Sequence, residues 1–261
     1  MNDIQILEQI NATQRQLKDI YIPERQSQIV APFQSLPGLV GLWYPGNFQR
    51  STGNIYDFSG QGRTLTYNGN PTIEYLTNGT AYADVDGTGD YWVRLDETDL
   101  DIQGNETVPG VPGLTFYCWL NPQSTGTYRQ VLGKADDPNG PYRLSQTAGD
   151  DSQFSVRNSA DTTSYAVSIT DGFLTSEWAF YACRYIPSTE LKIWRNIETN
   201  TNVVTIPAAL LNGTDNFGFG GEGDGGNLWI GYLSICGLYS IAHSDAMVQS
   251  VFQRTRALFN I

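Results

Sequence analysis

The sequence predicts an all-β protein: a two-sheet antiparallel sandwich with a helix near the N-terminus and a short helix at the C-terminus. Three observations carry this. Glycine is abundant at 27 of 261 residues and aromatic residues make up 12%, a composition that suits short strands joined by tight turns. From Gly38 onward, turn clusters (NGNP, DGTGD, PGVPG, DDPNGP, AGDD, NGTDN, GGEGDGG) recur at roughly 8–12-residue spacing, as in sandwiches and barrels. Between them the side chains alternate: in Thr115–Leu120, Phe116, Cys118 and Leu120 point one way, Tyr117 and Trp119 the other.

Taken in order, residues 3–21 carry Ile6, Ile10, Thr13, Leu17 and Ile20 at intervals of four and three. That spacing predicts an amphipathic helix with a short heptad seam. So short a helix is marginal alone and needs a partner, so residues 1–21 read as an anchoring or oligomerising segment. Residues 22–37, with three prolines, read as a linker, and 38–261 as the sandwich. Strands are expected at 39–45, 64–68, 80–84, 90–95, 113–121, 128–134, 141–147, 152–158, 163–169, 177–185, 189–197, 202–206, 215–220 and 227–241. Trp119 and Trp178 are expected between the sheets. A last helix over 244–259 is expected to turn Met247, Val251 and Leu258 toward the sandwich.

Charge narrows the function classes. A formal net charge of −12 argues against nucleic acid, whose binding depends on Lys and Arg neutralising phosphates. It disfavours anionic membrane surfaces equally, and no apolar run is long enough to span a bilayer. The start, MNDIQILEQINATQRQ, has neither the basic residues nor the apolar core of a secretion signal. Cys118, Cys183 and Cys236 lie in apolar, strand-like runs without Cys-x-x-Cys or Cys/His spacing, so they read as buried thiols and not as a zinc site.

Four segments carry a family resemblance: LVGLWYPG with the turn Asp57–Gly62; Asp86–Val93 (DGTGDYWV); Leu114–Pro122 (LTFYCWLNP); and Gly231–Tyr239 (GYLSICGLY) before the closing helix. In this order they resemble a jelly roll of the concanavalin A-like lectin/glucanase superfamily, laminin G-like type, over most of the chain after residue 38. The resemblance implies a lectin-like binding domain. It also implies that Asp57, Asp86 and Asp90 are candidate ligands for a structural calcium, with no cofactor required. Where the family often has Asp in the last motif, this chain has Ser234. That weakens the calcium reading, because calcium prefers several carboxylates among its oxygen ligands. Asp57 before Ser-Gly reads equally as a turn-former.

Candidate sites follow from residue types. The E-x-D-x-x-E strand signature of glycoside hydrolases on this fold is missing. The close pairs Asp99/Asp101 and Glu222/Asp224 lie in loops, so a nonenzymatic protein is expected, as paired carboxylates across the bond are needed for glycoside hydrolysis. The lone histidine, His243, lies just before the final helix. Two loops combine amides, carboxylates and rings as sugar sites do. They nominate Asp136, Asn139 and Tyr142 in Lys134–Tyr142, and Asp224 and Asn227 in Gly221–Trp229; Trp229 itself reads as core.

Together these features suggest a viral structural protein, such as a phage fibre or decoration protein, that displays a lectin-like domain. Residues 1–37 would engage capsid or tail proteins, a cell-surface glycan would be the ligand, and the chain would form a homo-oligomer, a trimer favoured. Virion residence, after synthesis in the host cytoplasm, reconciles free thiols with an extracellular type of fold. An extracellular carbohydrate-binding lectin of cellular origin is the alternative.

Overall fold

The computed structural model describes residues 26–49, 51–104, 109–136 and 139–261; the side chains of Asp99, Asp136 and Asn139 lie outside the description. The expected helix over 1–21 also lies outside it. A helix α1 occupies residues 26–34. Strands follow as β1 (Leu39–Phe48), β2 (Ile55–Asp57), β3 (Thr66–Asn68), β4 (Thr72–Tyr75), β5 (Ala81–Asp86), β6 (Tyr91–Arg94), β7 (Pro112–Pro122), β8 (Arg129–Asp136) and β9 (Asn139–Gln146). They continue as β10 (Ser152–Arg157), β11 (Ser164–Ile169), β12 (Ala179–Ile186), β13 (Glu190–Arg195), β14 (Glu198–Asn202), β15 (Phe217–Phe219) and β16 (Ile230–Ile241). Helix α2 (Asp245–Thr255) runs into a 3-10 turn, Arg256–Phe259.

Two antiparallel sheets form the sandwich. Among the described residues, the larger sheet runs β14-β13-β12-β7-β16-β1-β2, with β5 on β16 and β4 on β5. The smaller runs β11-β10-β9-β8-β15-β6-β3. The inward-facing residues make one core between them, including Trp43, Trp92, Phe116, Leu132, Leu144, Phe154, Tyr181, Ile193 and Leu238. Cys118, Cys183 and Cys236 are free and buried there, where burial pushes their thiols well up, so they serve as small apolar side chains.

The alternation read in β7 holds, but its outer face is not solvent. Tyr117 and Trp119 belong to a second apolar cluster with Phe180, Phe252 and Phe259 beneath α2, and with Ile29, Val30 and Phe33 of α1. Trp119 stacks on Phe259 at 4.2 Å between ring centres. Trp119 is thus not in the sheet-on-sheet core, and neither is the half-buried Trp178, which packs against Phe259 at 4.8 Å. The physical reason is parity: Phe116, Cys118 and Leu120 already take the inner face of β7, so its neighbours must be covered by something else.

That cover also corrects the linker. Within 22–37, Ile29, Val30 and Phe33 are at most 2% exposed, and the segment is tied to the sandwich by hydrogen bonds. Tyr239 donates to Phe33 O at 2.9 Å, Gln34 Nε2 to Phe58 O at 2.8 Å, and His243 Nε2 lies 2.9 Å from Pro37 O. In α2, Val248, Val251, Phe252 and Thr255 are buried, whereas Met247 and Leu258 are half-buried. Ser244 caps the helix, accepting from Met247 N at 3.3 Å. The strand expected at 202–206 forms earlier, at Glu198–Asn202. Asn196, with φ of 55°, turns the chain tightly enough that β14 pairs at once with β13. β2 and β4 were not foreseen. No helix among the described residues is long and apolar enough to cross a membrane.

Candidate functional site

Among the described residues no helix lies over the outer face of the smaller sheet, and most of the residues on it are polar. Along β8, β9, β10 and β11 the strand registers align two outward rows. One is Gln130–Ser145–Gln153–Ser168; the other is Gly133–Arg143–Ser155–Ala166. The inward partners in the same strands are Leu132, Tyr142, Leu144, Phe154, Val156 and Val167. Polar residues on this face are therefore set by the same period of two that builds the core.

Several of these polar groups are deeply buried even though they face outward. Gln130 and Ser145 are fully buried and Ser155 is 7% exposed. The Arg143 guanidinium lies over the Tyr128 ring, 5.5 Å from its centre, and Arg143 Nε donates to Ser155 Oγ at 3.2 Å. Among the described residues, Ser145 Oγ and Gln130 Oε1 find no hydrogen-bond partner in the protein. Buried polar atoms are nearly always satisfied, so these two call for a partner beyond the described residues, an ordered water being the simplest. At the end of this shelf, burial holds the half-buried Arg129 guanidinium below its ordinary pKa.

A loop, residues 221–228, forms the wall of the shelf. A β-bulge in β8 between Gln130 and Leu132 frees the Gln130 peptide N–H from the ladder, and it donates to Asn227 O at 2.8 Å. Gln130 Nε2 donates to Ala135 O at 3.2 Å. The loop lies directly on Gly218 of β15, where a Cβ would stand 2.2 Å from Gly221 O; glycine is needed for this close approach. Glu222, 2% exposed, accepts from Asn227 Nδ2 at 2.9 Å.

The predicted sugar residues meet mixed ends. Asn227 is in the wall of the shelf. Asp224 is exposed and caps its own turn, accepting from Gly226 N at 2.8 Å; it also helps burial raise the pKa of Tyr91. Tyr142 is a correction: it is fully buried in the core and donates to Leu100 O at 3.0 Å, because its parity in β9 is that of Leu144. Asp136 and Asn139 pair across the β8–β9 hairpin; their side chains lie outside the described ones. Tyr128, Gln130, Arg143, Ser145 and Ser155 were missed. The alternation Arg143/Ser145 against Tyr142/Leu144, and Gln153/Ser155 against Phe154/Val156, was the signal for them.

The calcium candidates are not assembled. Asp57 accepts from Leu42 N at 3.0 Å, Ser59 N at 2.8 Å, Ser59 Oγ at 2.5 Å and Arg63 N at 3.0 Å, which fills its oxygens. Asp86 caps Thr88 N at 2.7 Å, and the buried Asp90 accepts from Asn70 N at 2.6 Å. Among the described residues no three His, Cys, Asp or Glu side chains gather as a metal site. Ser234, at the family's Asp position, donates to Ala81 O at 2.8 Å and so ties β16 to β5 without a charge.

A family model described as concanavalin A-like lectin/glucanases superfamily matches residues 86–249. The chain belongs to that superfamily. Solved structures with the same fold, all at low identity, include binding domains of bacterial toxins. The binding domain of Paraclostridial Mosquitocidal Protein 1 aligns at a TM-score of 0.64 with 12% identity, over 82% of this chain and 52% of that one. The receptor binding domain of botulinum neurotoxin mosaic serotype C/D aligns at 0.61 with 10% identity, over 83% and 50%. A botulinum neurotoxin serotype D ligand binding domain in complex with N-acetylneuraminic acid aligns at 0.60 with 11% identity, over 87% and 52%. This superfamily member therefore spans about half the length of these structures. No curated protein sequence matches it significantly.

Proposed function

We propose that this protein is a nonenzymatic, lectin-like binding module whose ligand is an acidic sugar held on the outer face of the smaller sheet. The observation that carries the reading is the half-buried Arg143 guanidinium spread over the half-buried Tyr128 ring on a face of polar residues. A sugar carboxylate suits a guanidinium already spread on a ring, because Arg binds planar carboxylates through two donors. The sialic acid complex of the serotype D neighbour is consistent with this choice of sugar. Hydrolysis is not part of the reading: Glu222 already accepts from Asn227, and Asp224 serves its turn.

A glycan array carrying sialylated glycans beside their desialylated forms tests this. Wild type should bind the sialylated members, and Arg143→Ala should lose at least about tenfold in affinity, the scale of one charge-assisted pair. An array without sialylated hits, or Arg143→Ala binding unchanged, refutes the proposal.

The same reading extends to display. The module is carried on a phage virion as a fibre or decoration protein, with residues 1–21 joining copies of the chain and holding capsid or tail proteins. The heptad spacing of that segment supports this, as does a charge of −12, which keeps crowded copies soluble. Because α1 is part of the packed fold, the informative truncation removes residues 1–21 and not 1–37. It should lower the solution mass to that of one chain without lowering the melting temperature; an unchanged mass contradicts the oligomer.

A further inference from the structure

The larger sheet exposes a second constellation that the shelf does not use. Tyr82 of β5, Tyr232 of β16 and Trp178, just before β12, are each half-buried and touch one another. Ring centres are 4.8 Å apart for Tyr82–Tyr232, 5.7 Å for Tyr82–Trp178 and 6.2 Å for Trp178–Tyr232. Phe259 backs Trp178 from below. Ala83 and Val85 fill the inner core, so Tyr82 and Asp84 face outward together.

Carboxylates surround these rings. Asp84 stands opposite Tyr232 in the ladder, and the exposed Glu74 stands opposite Tyr82. Burial, then Glu74, Asp86 and Asp90, push the Asp84 carboxyl above its ordinary range. Burial, Tyr232, Glu74 and Asp84 do the same to the Tyr82 hydroxyl. Among the described residues no lysine or arginine pairs with Glu74, Asp84 or Asp86. The negative charge here is thus concentrated beside aromatic faces and lacks a counter-ion among the described residues.

We infer that Tyr82, Trp178 and Tyr232, with Asp84 and Glu74, form a site for a sugar bearing a free amine. Aromatic faces attract an ammonium group through their quadrupoles, and they offer flat apolar area to the carbon face of a pyranose. Asp84 and Glu74 supply the opposite charge for the amine. The same carboxylates repel sialic acid and sugar phosphates, so this site and the Arg143 shelf select ligands of opposite sign.

The test compares two probes that differ only at nitrogen: a β-1,4-glucosamine tetramer with free, protonated amines, and its fully N-acetylated form. Both are titrated calorimetrically into the full chain. The free-amine probe should bind about tenfold or more tighter than the acetylated one, the scale of a cation–π contact reinforced by charge. The difference should shrink as ionic strength rises toward about 1 M, where the Debye length is about 3 Å. Asp84→Asn and Glu74→Gln should each bring the free-amine affinity toward that of the acetylated probe, and Arg143→Ala should leave it unchanged. Glu74 is exposed, so its variant keeps the test valid should Asp84→Asn fold poorly. Equal affinity for the two probes, no binding of the free-amine probe, or binding that survives Glu74→Gln but not Arg143→Ala overturns the inference. Because Arg143→Ala and Glu74→Gln separate the two faces, failure here is distinct from failure of the acidic-sugar site.

Discussion

Ser145 and Ser234 are both fully buried, yet they differ in one respect that sets their energetics apart. Ser234 Oγ donates to Ala81 O at 2.8 Å, whereas Ser145 Oγ has no protein partner among the described residues. Replacing Ser234 by Ala removes a net hydrogen bond and strands a buried carbonyl, a loss of about 1–2 kcal/mol. Replacing Ser145 by Ala removes a hydroxyl whose burial without a partner already costs about 1–3 kcal/mol. Allowing for the small contact area lost, Ser145→Ala should leave stability unchanged or raise it by up to about 1 kcal/mol. The gap between the variants is then about 2 kcal/mol, or roughly 4–8 °C in melting temperature at 2–4 °C per kcal/mol. Thermal unfolding of both variants without ligand measures it. If Ser145→Ala loses as much stability as Ser234→Ala, the hydroxyl is satisfied in the free protein and the reasoning fails.

Two further outcomes are expected. Burial holds the His243 pKa below the ordinary imidazole value of about 6.5, Arg184 lowers it further, and the Pro37 carbonyl partly offsets both. The unfolded chain therefore takes up a proton before the folded one as pH falls. Stability should decline below about pH 6.5 while staying flat above it, and urea midpoints should show a smaller pH dependence in His243→Asn; an equal dependence contradicts the assignment. Lys134, fully buried, binds Asp101, Asp96 at 2.6 Å and Gly213 O at 2.8 Å. Lys134→Met should cost about 3–5 kcal/mol in urea unfolding, because Asp101 is left buried without its cation; a loss under about 1 kcal/mol would place the pair with exposed ones.

How far the sequence reached depended on the kind of signal. The sandwich and most of its strands followed from period two and glycine turns, and Asp57 as a turn-former followed from Asp-x-Ser-Gly. α1 stayed hidden because Pro32 and Pro37 flank Phe33, a pattern that reads as linker until the apolar face of β7 is seen to need a cover. The shelf is hidden in the sequence because its residues lie within strands and not in the glycine-rich loops. Tyr142 has the ring of a sugar site but the parity of the core, and one position along the strand separates it from Arg143. The platform residues Tyr82, Trp178 and Tyr232 come from three distant segments, and only the pairing of β5 with β16 brings two of them together.

Both described chain ends, α1 and the 245–259 segment, pack on the same side of the larger sheet. The Arg143 shelf lies on the opposite side of the molecule. A surface or fusion partner attached through the C-terminal segment therefore leaves the shelf pointing away from the support. The amine-site rings, backed by Phe259 near the C-terminal end, sit on the support's side. Immobilising the protein by its C-terminus should thus report the two ligands unequally, and the geometry decides in advance which one is shaded.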